Sequence, residues 1–390
     1  MISNFSFAKL PLIHFGCGKL SALPQIIWGY GSTVIVVSGK GSFNGSVYFE
    51  DFREELQKKS IRCIDIVIDR EPSPAIINKV VEDYSDEDPV LVVAIGGGST
   101  MDAGKAISAM LPVGGDVTRF LEVVGNYEHP GKKIPFIAVP TTSGTGSEAT
   151  KNAVLSEVGK NGFKRSLRHE NLVPDIAVVD PLLTVSCPPE LTAAGGMDCF
   201  TQLVESYVST KALGYTDAIA LKGLLALRDS LERAYADGSD IEARTGMSFA
   251  ALSSGICLAN AGLGTVHGFA SSVGALFDIP HGVICGTLMA PANEITLREL
   301  RRAGKNHPAI SRYAELGRLF SREEGKSEDY YTGAFIGTLY HMAEKLKLPL
   351  LGKYGVTTSD VERIVSNTDN KNNPVKLSQD HLAELLSKRI

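Results

Sequence analysis

Apolar positions follow two rhythms along this chain, and the change between them falls close to residue 182. Before it, β-branched runs alternate with helical stretches. "STVIVVSGKG" (32–41), "RCIDIVI" (62–68), "VLVVAIGGGS" (90–99), "IPFIAVPTT" (134–142) and "DIAVVDP" (175–181) each read as a strand. Runs of this kind mark strands covered on both faces, and helical connections between them make the sheet parallel. Beyond Pro181 a 3.6-residue spacing takes over, at 191–209, 216–237, 240–262, 308–324, 328–346 and 378–389, with no strong strand candidate. The pattern predicts an α/β domain with a parallel sheet over 1–184 and an all-helical domain over 185–390. The join is placed near "LLTVSCPPE", where a Pro pair precedes a helix. A polar loop is expected at 366–377, "SNTDNKNNPVKL", ahead of the last helix.

Length agrees with two domains, since 390 residues exceed what one core normally organises. A net charge of −5 without a long basic block argues against nucleic acid or an anionic membrane as partner. Six scattered cysteines without a CxxC read as reduced, mostly buried thiols of a cytoplasmic protein. The N-terminal stretch lacks the charged and apolar regions of a signal peptide, and no apolar run reaches the ~18 residues of a membrane span. Glycine is raised, at 39 residues, as suits close backbone approaches to a ligand.

Two glycine-bearing stretches follow predicted strands. In "VLVVAIGGGSTMDAGKAISAM", Gly96, Gly97 and Gly98 precede Ser99, Thr100 and a helix. Free N–H groups and the positive end of the helix dipole suit a pyrophosphate there. The run is neither GxGxxG nor a P-loop, and a tight turn alone would explain it equally well. The second stretch, "PTTSGTGSEATKNAVL", sets Thr141, Thr142, Ser143, Thr145 and Ser147 after another strand end, the place where open α/β sheets bind ligands. Together they point to a dinucleotide. In the helical half, "GGMDCFTQLVESYVS" (195–209) puts Asp198 and Gln202 on one helix face, and "GLGTVHGFASSVGALFDIPHGVICG" (262–286) holds His267 and His281. Two histidines and a carboxylate suit a catalytic divalent metal. Satisfied core histidines and a structural acid are the plainer reading.

Taken together, "IHFGCGKL", "GGGSTMDAGKA", "PTTSGTGSEAT", "KRSLRHENLVPDIAVVDPLL", "GGMDCFTQLVESYVS", the histidines with "PHG", and "NNPVKLSQDHL" resemble the iron-containing (group III) alcohol dehydrogenase family nearly end to end. The resemblance implies a dehydroquinate synthase-like architecture: a nucleotide-binding α/β domain and a helical domain, with the active site between them. It implies NAD(P)-dependent interconversion of alcohols with aldehydes or ketones. Its metal positions, for Fe or Zn, fall at Asp198, Gln202, His267 and His281. Better-known members carry His where this chain has Gln202, and another His near the nicotinamide where it has Ser271. Gln202 could bind the metal directly, bind it through water, or only orient a ligand. With Ser271 in place, protons would travel through water, this hydroxyl or the ribose.

The family also implies that the end of the first long strand, at Ser38, Gly39 and Lys40, meets the adenosine ribose. NAD-preferring members often carry Asp where this chain has Gly39, so the absent carboxylate favours NADP over NAD. The Gly96–Ser99 loop and a helix from Thr100 would hold pyrophosphate, with Asp102 as a capping or hydrogen-bonding group. Thr141, Thr142, Thr145 and Ser147 would line the nucleotide, and Lys164 would pair with a phosphate or the ribose. A homodimer joined through N-terminal strands is expected. Two alternatives remain: a metal-free reductase of acidic keto substrates, as in the maleylacetate reductases, and a nucleotide-binding protein without catalysis.

Overall fold

A computed structural model describes residues 4–41, 43–304 and 307–390. Six strands form one parallel sheet: β1 (Leu12–Phe15), β2 (Thr33–Gly39), β3 (Arg62–Ile68), β4 (Leu91–Gly96), β5 (Phe136–Pro140) and β8 (Ile176–Val179), in the order β1-β8-β5-β4-β2-β3. The five predicted strands are present. β4, β5 and β8 are buried at every position, as runs without alternation require. β3 is an edge strand and alternates, burying Ile64, Ile66 and Ile68 while Asp65 and Val67 stay outside. β1, four residues pairing along β8, had no run long enough to read.

β6 (Asn152–Glu157) and β7 (Phe163–Arg168) make an antiparallel hairpin outside this sheet, where only parallel pairing was expected. Its strands mix Lys, Arg, Ser and Asn with few apolar residues, so neither stretch carries a strong β signal.

After β8 the described residues contain helices only. The sheet ends at Val179, a short 3-10 turn spans Pro181–Thr184, and the first long helix runs Pro189–Val208. The six predicted helices appear, and two more, Thr265–Leu276 and His281–Ala303, fill the stretch that had no assignment. Both are buried on several sides, as Pro189–Val208 and Ile241–Ala261 also are. Gly268 shows how tight the packing is: a Cβ there would lie 1.9 Å from the carbonyl oxygen of Asp369. The helices Ile241–Ala261 and Thr265–Leu276 meet at a 98° bend through Gly262 and Gly264, and that bend turns His267 inward. Among the described residues no single helix is long and apolar enough to cross a membrane.

Candidate active site

The sheet places its ligand end by topology. β2 connects outward to β3, and β4 then returns to the other side of β2. Connections therefore diverge between β2 and β4, and ligands of open α/β sheets sit outside the carboxyl ends of the strands at such a point. Gly39 ends β2 and Gly96 ends β4.

The glycine run is tighter than a loop. Gly96 belongs to β4, Gly97 caps the helix, and that helix starts at Gly98 rather than Thr100. None of the three has positive φ. Two are glycine because neighbours fill their side-chain space: a Cβ on Gly96 would meet Thr100 at 2.5 Å, and one on Gly98 would meet Thr145 at 2.6 Å. The first-turn N–H groups remain free of helical partners, as at any helix start.

The second glycine stretch is also held by backbone contact. A Cβ on Gly144 would lie 2.8 Å from the Cα of Gly195, and one on Gly255 would lie 2.1 Å from the carbonyl oxygen of Gly146. The loop after β5 is thereby clamped against the helix that carries Asp198. Lys105, fully buried, donates to Ser147 O, Ser147 Oγ, Thr150 Oγ1 and Asn152 O. Burial lowers its pKa to about 8.

One cleft joins the two halves. Gly98, Ser99, Asp102, Thr145, Ser147 and Lys164 line one stretch of it, and Asp198, Gln202, His267, Ser271 and His281 line the other. Ser38, Gly39, Lys40, Gly96, Gly97, Thr141 and Thr142 are not among its lining residues. Ser38 and Thr141 are buried, and the Thr141 N–H donates to Gly96 O at 2.9 Å. Lys40 is exposed and Gly39 half-buried, beside the helix start.

Several expected contacts take a different form. Asp102 does not cap its own helix: Oδ1 accepts from Ser147 Oγ at 2.7 Å and Oδ2 from Val154 N at 3.1 Å, tying helix, loop and hairpin together. Lys164 is already paired, with Glu71 Oε1 at 2.5 Å, and Glu71 also accepts from Ser156 Oγ. Ser271 donates its hydroxyl to His267 O, four residues back, so it is not a free proton carrier. Gln202 does not present its carbonyl oxygen to the ligand cluster. Its Nε2 donates to Asp198 Oδ2 at 3.2 Å, and Ser254 Oγ donates to its Oε1 at 2.8 Å. An ionised Asp198 only accepts, which fixes the amide this way round.

Asp198, His267, His281 and Cys285 hold ligand atoms within 4.8 Å of one another. Asp198 Oδ1 lies 3.3 Å from His267 Nε2 and 3.6 Å from His281 Nε2. Behind His267, Glu205 Oε2 meets Nδ1 at 2.7 Å while Oε1 accepts from Val266 N at 2.7 Å. That second carboxylate directs the lone pair of Nε2 into the cluster when the ring is neutral, as metal-binding histidines require. Burial alone would raise Asp198 and lower His267; instead Asp198 is held at about 2 and His267 well above its ordinary value. Against burial, the His281 and His267 rings lower Asp198, and Cys285, Asp198 and Glu205 raise His267, while burial drives His281 down to about 4 and pushes the Cys285 thiol up to about 12. Two carboxylates around one imidazolium mark a place suited to a divalent cation. Glu71, Glu205, Lys105, Cys285 and Lys371, which also lines the cleft, went unread in the sequence. Cys285 at four residues past His281 was the one signal available.

Residues 11–181 match the family model for iron-containing alcohol dehydrogenase, and residues 192–390 match that for the C-terminal part of the same family. The chain belongs to the iron-containing alcohol dehydrogenase family. It is 33% identical over 333 residues to alcohol dehydrogenase 4 of Saccharomyces cerevisiae strain ATCC 204508 / S288c, covering 82% of this chain and 81% of that protein. It is 28% identical over 400 residues to the NADPH-dependent butanol dehydrogenase of Clostridium saccharobutylicum, covering 96% and 95%. The solved alcohol dehydrogenase from Oenococcus oeni superposes with a TM-score of 0.87 at 28% identity, over 99% of this chain and all of that one. The chain is accordingly an NAD(P)-dependent alcohol dehydrogenase, and neither the maleylacetate reductase-like alternative nor the non-catalytic one is favoured.

Proposed function

We propose that this iron-containing alcohol dehydrogenase reduces an aldehyde or ketone, and oxidises the matching alcohol, with a divalent metal held by Asp198, His267 and His281 and with NADP in preference to NAD. The carrying observation is that Asp198, His267 and His281 of the metal-competent cluster and the helix start at Gly98–Ser99 line one cleft. When bound, the metal supplies Lewis acidity toward the substrate oxygen and the nicotinamide exchanges a hydride with the substrate carbon.

The chain's own residues supply position. The N–H groups at Gly98 and Ser99 face the pyrophosphate, with the helix dipole behind them. Thr142 and Thr145 support that turn from the facing loop, and Thr141 fixes the loop to β4. Asp102 holds the hairpin, and through it Lys164, against the cofactor helix. Glu205 keeps His267 in the tautomer with a free Nε2. Gln202 orients Asp198 from outside the ligand set. Ser271 lines the cleft and donates its hydroxyl to His267 O, so it could pass a proton only by releasing that bond.

The preference for NADP rests on the end of β2, where Gly39 offers no carboxylate to repel a 2′-phosphate and Lys40 is exposed nearby. We divide the chain into a nucleotide-binding domain, 1–184, and a catalytic domain, 185–390. The exposed edge of β1, with Leu12 outward, supports a homodimer joined through N-terminal strands. Six unpaired cysteines support a cytoplasmic setting. The test is aldehyde reduction followed by loss of nicotinamide absorbance with NADPH and NADH, on protein stripped with chelator and on protein reloaded with metal. Full activity after stripping, with no metal by elemental analysis, would overturn the metal assignment.

A further inference from the structure

Position 202 withholds the imidazole that the family resemblance implies, yet the cluster still offers four donors. We propose that Cys285 completes it: as a thiolate, Cys285 is the fourth metal ligand. This rests on the reading that Asp198, His267 and His281 bind a divalent ion.

Geometry carries the inference. Cys285 Sγ lies 3.7 Å from His267 Nε2 and 3.6 Å from His281 Nε2. A tetrahedral zinc with Zn–S of about 2.3 Å and Zn–N and Zn–O of about 2.0–2.1 Å has S···N edges of about 3.6 Å and O···N edges of about 3.3 Å. Three of the four separations, 3.7 and 3.6 Å for S···N and 3.3 Å for Asp198–His267, fall at these edges, the Asp198–His281 separation is longer at 3.6 Å, and all four ligand atoms lie within 4.8 Å of one another. The local fold explains the placement. His281 opens the helix His281–Ala303, and Cys285 is one turn on, so both face the same way. Gly282 and Gly286 let that helix approach: a Cβ on Gly282 would meet Ala194 O at 2.2 Å, and one on Gly286 would meet Met197 Cβ at 2.7 Å. Both neighbours belong to the helix that carries Asp198.

Cys285 belongs to a buried apolar cluster with Val266, Phe269 and Leu288, yet its sulfur also lies within hydrogen-bond range of two imidazole nitrogens, which packing alone does not require. On binding, the S–H bond breaks, its proton passes to solvent, and the sulfur donates a lone pair to the ion; no oxidant or reductant takes part. Thiolate is a soft donor and favours a borderline ion such as zinc or cobalt over the hard, oxygen-seeking Mg²⁺, Ca²⁺ and Mn²⁺. Substrate oxygen then enters as a fifth ligand, an expansion that catalytic zinc sites undergo.

The test uses the full chain, stripped with chelator and reloaded anaerobically with one Co²⁺ or Zn²⁺. The parent with Co²⁺ should show a thiolate-to-cobalt charge-transfer band in the near ultraviolet. Cys285→Ser should still bind one Co²⁺, lose that band, and retain Zn²⁺ against a competing chelator at least about tenfold less well. X-ray absorption of the zinc-loaded parent, which needs no variant, should show one sulfur at about 2.3 Å. One bound ion with an all-nitrogen-and-oxygen shell, or a band that survives in Cys285→Ser, overturns the Cys285 assignment and leaves the three-ligand reading standing. No ion bound by the parent overturns both. His267→Ala should abolish binding and serves as the control.

Discussion

Replacing Glu205 with Gln changes one atom and tests the logic of the metal cluster. Glu205 accepts twice: from Val266 N–H through Oε1 and from His267 Nδ1 through Oε2, each at 2.7 Å, with both side chains buried. A carboxamide has one acceptor and one donor. Val266 N–H can only donate, so the Gln oxygen must face it, and the Gln NH₂ then faces His267 Nδ1. To accept, Nδ1 must lose its proton, which moves to Nε2 and blocks the atom aimed at Asp198 and the metal. Disturbing a partner of this kind typically costs 10–100-fold in metal affinity, about 1.4–2.8 kcal/mol. We expect Glu205→Gln to weaken Zn²⁺ binding by at least the upper part of that range, because the tautomer is inverted rather than merely freed. Competition with a chromophoric chelator gives the affinity, and nitrogen-15 shifts of the His267 ring give the tautomer. Affinity within about twofold of the parent, or Nδ1–H retained in the variant, refutes the reasoning.

Three further outcomes follow from the same coordinates. Gly39→Asp is sterically open, since a Cβ there lies 3.4 Å from Thr100 Oγ1. Its charge should shift the NADPH/NADH ratio of kcat/KM toward NADH by at least about tenfold, and an unmoved ratio removes Gly39 from the ribose pocket. Gly144→Ala presses a methyl onto the backbone at Gly195, and denaturant unfolding should show a loss of about 1–3 kcal/mol. Glu148, buried at the start of the loop that Lys105 holds, has its carboxyl pushed by burial from 4.5 to about 7. The folded state therefore prefers it protonated, so stability should fall by up to about 3 kcal/mol as pH rises from about 4.5 to 7. Glu148→Gln should flatten that part of the stability–pH profile; an unchanged slope assigns the dependence elsewhere.

The layers and most of their members were legible in the spacing of apolar residues. Strands β2, β4, β5 and β8 were legible because burial on both faces demands apolar residues at successive positions. Of the six predicted helices, Gly214–Ala236, Pro308–Ser321, Glu328–Lys345 and Gln379–Ser387 keep an exposed side, whereas Pro189–Val208 and Ile241–Ala261 are buried almost all round. Asp198, His267 and His281 were legible by resemblance, with the departures at Gln202 and Ser271. What only the tertiary structure decided involves pairs distant in sequence. The direction of the Gln202 amide is set by the charge of Asp198, which only accepts, while Ser254, 52 residues away, holds its other end. The tautomer of His267 is set by Glu205, 62 residues before it. The glycines of the two polar stretches looked like openings for a ligand, and several instead make room for Thr100, Thr145 and the facing backbones of Gly195 and Gly255. Cys285 became a ligand candidate through the bend at Gly262–Gly264, which brings His267 beside His281. Local patterns record how each element meets its own layer of solvent or core, whereas a site is made where elements cross, and the crossing is fixed by packing that no spacing along the chain records.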